Sequence, residues 1–233
     1  MLMITIILAE SEEELQKSLL VFQEYCDYWK LSVNIEKTKV MVFTKKRGNR
    51  NYDFRINGSS IDEVDSYTYL GLLFNYNGKF TLAKKQLVGQ AEKALYALYK
   101  KIRNISIPVD LQLKLFDALI EPILLYSCEV WGFENVTIIE KIHLKFLKRI
   151  MGVRSSTPNF MVYGETGRYP LEINIKIRLL NFWSKLLVNN NKLSGILYQL
   201  LYKMHSLELC KSEWINYIKS ILDYTGLSYV WNS

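Results

Sequence analysis

Catalysis needs side chains that exchange protons, attack, or hold a metal, and in this chain they are sparse and scattered. The two histidines, His143 and His205, fall in helical patterns and belong to no metal-ligand motif. A packed or exposed helix histidine is the expected role of each. No GxSxG, P-loop or GxGxxG run occurs. Asp62, Glu63 and Asp65 are close in sequence but are expected at a turn, as solvated surface. The three cysteines, Cys26, Cys128 and Cys210, are widely spaced and include no CxxC pair. Neither a disulfide framework nor a zinc site is expected from them. These residues alone offer no nucleophile, general base or metal cage: no catalytic residue and no metal ligand is assigned.

The residues that do concentrate are cations. The 233-residue chain has 30 Lys and Arg against 23 Asp and Glu, a formal net charge of +7. Lys37, Lys39, Lys45, Lys46, Arg47 and Arg50 form one cluster. Lys79, Lys84, Lys85, Lys93, Lys100, Lys101 and Arg103 form a second, with Glu92 the one acid among them. Lys141, Lys145, Lys148, Arg149 and Arg154 form a third, whereas the first helical segment is acidic. Such segregation of sign points to a polyanionic partner, against the plainer alternative of solvated lysine faces. With 49% hydrophobic residues, 11 Gly and 4 Pro, the chain is neither disordered nor of low complexity. Its length suits one large domain or two small ones. The apolar run from Met1 to Ala9 is too short to span a bilayer. It has no basic flank and leads into Glu10, Glu12, Glu13 and Glu14, so it does not resemble a signal peptide. An intracellular protein is expected, nuclear or cytoplasmic and not secreted, with no membrane and no small-molecule cofactor among its partners.

The elements that must position these groups change period along the chain. Met1 to Leu8 reads as a buried strand. Ser11 and Glu14 form a capping box for a helix whose apolar face is Leu15, Leu19, Phe22, Cys26 and Trp29. Leu31 to Phe43 reads as strand, turn, strand. Residues 52–64 read as a hairpin turning at Asn57-Gly58, and residues 66–74 as one further strand closed by Asn77-Gly78. Helical spacing then takes over. A long amphipathic helix is predicted from Thr81 to Ile102, with Leu87, Ala91, Ala94, Leu95, Leu98 and Ile102 inward. A second helix follows Ser106 and Pro108 and is broken at Pro122. Others are predicted over 138–151, 179–188, 193–204 and 214–222, with Gly152 and Gly226 as stops. The fold class is therefore α+β: a small α/β part, then a mainly helical one. Trp131, Trp183, Trp214 and most of the 16 tyrosines are expected in packing, not as stacking platforms.

One ordered set of segments is specific. TIILAESEEELQKSLLVFQEYCDYWKLSVNIEKTKVMVF is followed by YTYLGLLF, FDALIEPILLYSCEVWG, HLKFLKRIMGV and STPNFMVYGETGRYPLEI. Together they resemble the reverse transcriptase of non-LTR (LINE-type) retrotransposons, from Thr5 to about Trp231. The resemblance implies a partial palm over residues 1–75, a thumb-like helical domain over 76–170 and a C-terminal helical extension over 171–233. It implies that Asn34, Lys37 and Thr38 match a palm motif near the incoming nucleotide, and that Tyr69, Leu70 and Gly71 match the primer-grip hairpin. It further implies that thumb cations, here Lys84, Lys85, Lys141, Lys145, Lys148 and Arg149, lie toward an RNA or DNA template–primer, bound weakly or no longer. Lys141, Lys145 and Lys148 recur at i, i+4 and i+7, one stripe opposite Ile139, Ile142, Phe146 and Ile150. Arg168, within the GETGRYPLEI marker, is a further candidate for a phosphate contact.

The departure from the family falls on its catalytic motif. Where the family has Tyr-Ala-Asp-Asp, this chain has Met1, Leu2, Met3 and Ile4. An intact member holds Mg²⁺ with clustered carboxylates, and Met3 and Ile4 cannot replace them. The expectation is a truncated, catalytically inactive fragment with no cofactor of its own; the alternative is a non-enzymatic nucleic-acid-binding or structural helical remnant. The codons ATG CTG ATG AT-, set one base later behind a T, read TAT GCT GAT GAT, which encodes Tyr-Ala-Asp-Asp. A frameshifted or truncated element is therefore expected, in preference to chance divergence. Genomic DNA checks it: the bases upstream of Met1, with an insertion or deletion near codon 5, are expected to restore the aspartates.

Overall fold

A computed structural model of the chain describes residues 5–44, 52–189 and 192–231. Met3, Ile4 and the basic residues Lys45, Lys46, Arg47 and Arg50 lie outside the described residues. The fold is α+β, and the chain divides after Leu82 into two compact units.

The first unit is built on α1 (Glu12–Tyr28). Ser11 caps it by accepting the Glu14 N–H at 3.2 Å. The Glu14 carboxylate reaches back to the N–H of Glu10 at 2.7 Å, one residue before the cap, which extends the capping box by a residue. Leu19 and Cys26 are buried, and Leu15 and Phe22 pack beside them. Trp29, expected on the same face, is 60% exposed. It stands past the helix end, where Lys30 takes a left-handed turn (φ 52°) and swings the chain off the stripe.

Six short strands follow among the described residues. β1 (Lys39–Val40) pairs in parallel with β4 (Asp62–Glu63). β2 (Arg55–Ile56) and β3 (Ser59–Ser60) form the expected hairpin at Asn57 and Gly58, both left-handed at φ 50° and 73°. β5 (Ser66–Tyr69) and β6 (Leu72–Asn75) form another. Three expectations are corrected here. Thr5–Leu8 is irregular, because no described strand pairs with it; Leu8 is 84% exposed and Ile7 packs on the core. Residues 66–74 are a hairpin and not one strand, because Leu70 and Gly71 both turn left-handed (φ 47° and 84°). Asp62 and Glu63 form a strand and not a turn, with Asp62 opposite Lys39 and ion-paired to it at 2.6 Å. Leu19, Val40, Phe54, Ile56 and Ile61 close the core of this unit.

The second unit is helical: α2 (Thr81–Ile102), α3 (Val109–Leu119), α4 (Glu121–Leu124), α5 (Cys128–Trp131), α6 (Thr137–Ile150), α7 (Asn159–Thr166), α8 (Leu171–Val188), α9 (Leu193–Ser206) and α10 (Glu213–Tyr224), then a 3-10 turn over Ser228–Trp231. Pro122 does break the chain between α3 and α4. Helix α8 begins eight residues before its expected start, at Leu171, with Pro170 at its N-cap position. Helix α7 was hidden by Gly164 and Gly167: the first is tolerated inside the helix, and the second ends it in a left-handed C-cap (φ 63°). Among the described residues no helix is long and apolar enough to cross a membrane.

A fully buried cluster forms where α5 and α6 meet α8. Trp131, Ile139, Leu147, Ile175 and Leu179 are fully buried, and the Trp131 indole donates to the Tyr126 carbonyl at 2.8 Å. Burial, then the neighbouring Glu129 carboxylate, pushes the Cys128 thiol up to about 12, so it stays protonated and inert. Gly132 has no room for a Cβ, which would collide with the Ile175 side chain and lie 2.6 Å from the Cys128 carbonyl. Gly132→Ala is expected to cost about 1–3 kcal/mol by overpacking, read as a lower denaturation midpoint followed by tryptophan fluorescence.

Candidate nucleic-acid interface

Helix α6 explains how the third cation cluster is displayed. Ile139, Ile142, His143, Phe146 and Leu147 are buried on one side, so Lys141, Lys145 and Arg149 emerge on the other. Ile150, expected inward, is half-buried. Three cations of this helix are tethered. Lys145 lies 3.6 Å from Glu92 on α2. The Arg149 guanidinium stacks 3.9 Å over the ring of Tyr99, also on α2. Lys148 is turned to the carbonyl of Ser155 at 2.7 Å. Burial raises the Tyr99 hydroxyl above its ordinary value, and the nearby Arg149 charge opposes that shift. Tyr99 and Glu92 were missed in the sequence; their spacing of seven residues puts them on one flank of α2, which is the signal available for them.

The first-turn lysines of α2 part company. Lys85 is exposed, but Lys84 is 3% exposed. Its ammonium donates to Glu134 at 2.6 Å and to the Asn135 carbonyl at 3.0 Å. A buried, paired ammonium is not free for a phosphate, so the expectation that Lys84 faces nucleic acid is corrected. Arg168 is likewise engaged, with two parallel hydrogen bonds to Asp117 at 2.8 and 2.7 Å, and is no free phosphate contact.

The remaining expected site residues lie in the first unit. Asn34 and Thr38 close a turn: the Asn34 side chain accepts the Lys37 N–H at 3.0 Å, and the Thr38 hydroxyl donates to the Asn34 carbonyl at 2.8 Å. That leaves Lys37 exposed at the turn's surface. Tyr69, Leu70 and Gly71 sit at the tip of the β5–β6 hairpin, with Leu70 61% exposed. Among the described residues no group of three His, Cys, Asp or Glu side chains is placed to hold a metal ion.

A buried polar node behind α6 holds this surface in place. Glu140 stands one turn before His143, a partner overlooked in the sequence. Its Oε1 takes hydrogen bonds from His143 Nδ1 at 3.0 Å and from the Tyr163 hydroxyl at 2.6 Å. Burial pushes the Glu140 carboxyl up, but the bonds from His143 and Tyr163 outweigh it, and the net shift is below the ordinary 4.5. Burial and the adjacent carboxylate push the Tyr163 hydroxyl far up. His143 packs on Phe116 as well, the packed role expected of it. His205, in α9, accepts the Ser212 N–H at 3.2 Å and bonds Asn216 at 3.1 Å, so it fastens the α9–α10 turn.

The chain is 28% identical over 155 residues to the RNA-directed DNA polymerase from mobile element jockey of Drosophila funebris, covering 62% of this chain and 16% of that protein. It is 24% identical over 143 residues to the protein of the same name from Drosophila melanogaster, covering 59% of this chain and 15% of that protein. The chain is similar to part of a mobile-element reverse transcriptase. The resemblance to LINE-type reverse transcriptases is borne out by these relatives. The chain spans about 16% of the length of the first of them. No family model and no solved structure matches it.

The Glu140 shift has a pH consequence. Its folded value lies below the unfolded one, so its contribution is fully present above about pH 4.5 and lost as pH falls through the folded value. Tyr163→Phe removes one of the bonds that lower it. The variant is expected to lose about 1–3 kcal/mol at neutral pH and to unfold in acid at a higher pH than the parent, as circular dichroism against pH will register.

Proposed function

We propose that this chain is a reverse-transcriptase-like fragment that holds an RNA or DNA template–primer on the exposed cations of its helical unit and does not itself polymerise. The observation that carries the reading is the display of Lys141, Lys145 and Arg149 on one exposed face of α6, beside α2. In this reading residues 1–75 are a partial palm, 76–170 a thumb and 171–233 a C-terminal extension, and Lys37 and the Tyr69–Gly71 tip belong to the palm's nucleotide and primer side. Lysines and a stacked arginine position a phosphate backbone without reading its sequence. Met3 and Ile4 stand where the resemblance expects two metal-binding carboxylates. A thioether and an alkyl chain do not fit Mg²⁺, so no catalytic step is derived through it.

A second reading, a helical remnant with no nucleic-acid role, is favoured by the apolar face of α9, where Leu193, Leu197 and Leu200 are exposed among the described residues.

Fluorescence anisotropy with a labelled RNA–DNA hybrid at two salt concentrations separates the readings. Binding at low salt is expected, weakening as salt rises, by roughly 0.9 in log K per decade of salt for each phosphate neutralised on duplex DNA. The double variant Lys141→Glu, Lys145→Glu is expected to weaken binding and flatten that slope while keeping the fold, since both side chains are exposed. No binding at low salt favours the remnant, and tight binding indifferent to salt overturns the cation surface as the binding site. Adding dNTPs and Mg²⁺ to a primer–template is expected to yield no extension, and incorporation by the pure chain overturns the inactivity.

A further inference from the structure

We propose that Tyr96 is a stacking platform for an unpaired nucleobase, set in the middle of a cation row on the outer face of α2. The proposal rests on the nucleic-acid reading above and goes beyond it by naming a single-stranded ligand and the residue that selects it.

Helix α2 presents three distinct sides. Ala83, Leu87, Ala91, Leu95 and Leu98 are buried in the core. Glu92 and Tyr99 lie on the flank that meets Lys145 and Arg149 of α6. The third side carries Lys85, Gly89, Lys93, Tyr96 and Lys100, recurring every three or four residues, with Arg103 just past the helix end. Glu92, one turn before Tyr96, is the one acid beside that row, and Lys145 of α6 lies 3.6 Å from its carboxylate and offsets its charge. Among the described residues none of Lys85, Lys93, Lys100 and Arg103 has a carboxylate partner. Lys100 also lies in the last turn, where the helix dipole favours a cation.

Tyr96 is 75% exposed in this row. It has no hydrogen-bond or ring partner among the described residues. Lys93 lies one turn before it and Lys100 one turn after, about 4.5 and 6 Å away along the axis. Gly89 adds a flat step: a Cβ there would meet nothing within 4 Å. An exposed tyrosine by itself is ordinary surface, and the setting is what distinguishes this one. Tyr169 is as exposed, at 74%, but the cation beside it, Arg168, is already clamped to Asp117, whereas Lys93 and Lys100 beside Tyr96 have no carboxylate partner among the described residues.

A tyrosine ring stacks on any base whose face is free, while flanking ammonium groups take the phosphates on either side. A base inside a duplex is already stacked on its neighbours and has no free face to give. The arrangement therefore favours single-stranded over double-stranded nucleic acid, with little regard for sequence. Single-strand binders combine the same two parts, a cationic track and an aromatic side chain.

The test compares a single-stranded oligonucleotide of about twelve nucleotides, carrying one 2-aminopurine, with the matching duplex, on the full chain at low salt. Tyr96→Ala is expected to weaken single-strand binding by roughly tenfold and to abolish the quenching of 2-aminopurine, with duplex binding unchanged. Tyr96→Phe, which keeps the ring, is expected to retain both. The proposal is overturned if Tyr96→Ala leaves single-strand binding intact, if it weakens both ligands alike, or if Tyr96→Phe fails to rescue. If the parent chain binds neither ligand, the nucleic-acid reading of the whole surface falls, and this proposal with it.

Discussion

The buried carboxylate of Glu140 is the constraint on which the helical unit depends. One oxygen receives His143 from its own helix and Tyr163 from α7, and the ring of His143 lies against Phe116 of α3. Arg168, just past α7, clamps Asp117 of α3. A buried charge left without these donors would cost far more than any one contact contributes. The node therefore fixes the rotation of α6 about its own axis, and with it which residues face outward. The GETGRYPLEI marker acquires a physical meaning here. Its glycine ends α7, its arginine locks α3, and its proline starts α8.

Because α6 is held at that rotation, its cations emerge together and α2 completes the surface. Lys84 and Lys85 illustrate how sharply helical geometry sorts charge. They are adjacent in sequence and a hundred degrees apart around the axis. One ends in a buried ion pair with Glu134, the other in solvent. Counting cations therefore overstates the binding surface, and tracing each to its partner corrects the count. The same tracing takes Arg168 out of the exposed cationic surface and leaves Lys145 and Arg149 in it.

Much of the fold was legible in the chain. The helical spacing of Leu87, Ala91, Leu95 and Leu98 set α2 at its observed ends, and Asn57-Gly58 marked its hairpin. Local chemistry decides such features. The hairpin at Leu70-Gly71 was not legible, because leucine is a poor signal for a left-handed turn and the flanking residues alternate as one strand would. The strand expected before Ala9 failed for another reason: an apolar run specifies a strand only where a neighbour accepts its hydrogen bonds. For the candidate interface, the lysine stripe of α6 was visible and its tethers were not. Lys84 and Glu134 are 50 residues apart, and Arg168 and Asp117 are 51. Pairs of that separation depend on tertiary packing, which no local pattern encodes.

The length of α2 sets a scale. Its 22 residues, at about 1.5 Å each, make a rod of roughly 33 Å. Lys85 and Lys100 stand fifteen residues apart on its outer face, about 22 Å along that axis, so any strand that reaches both must span at least that length.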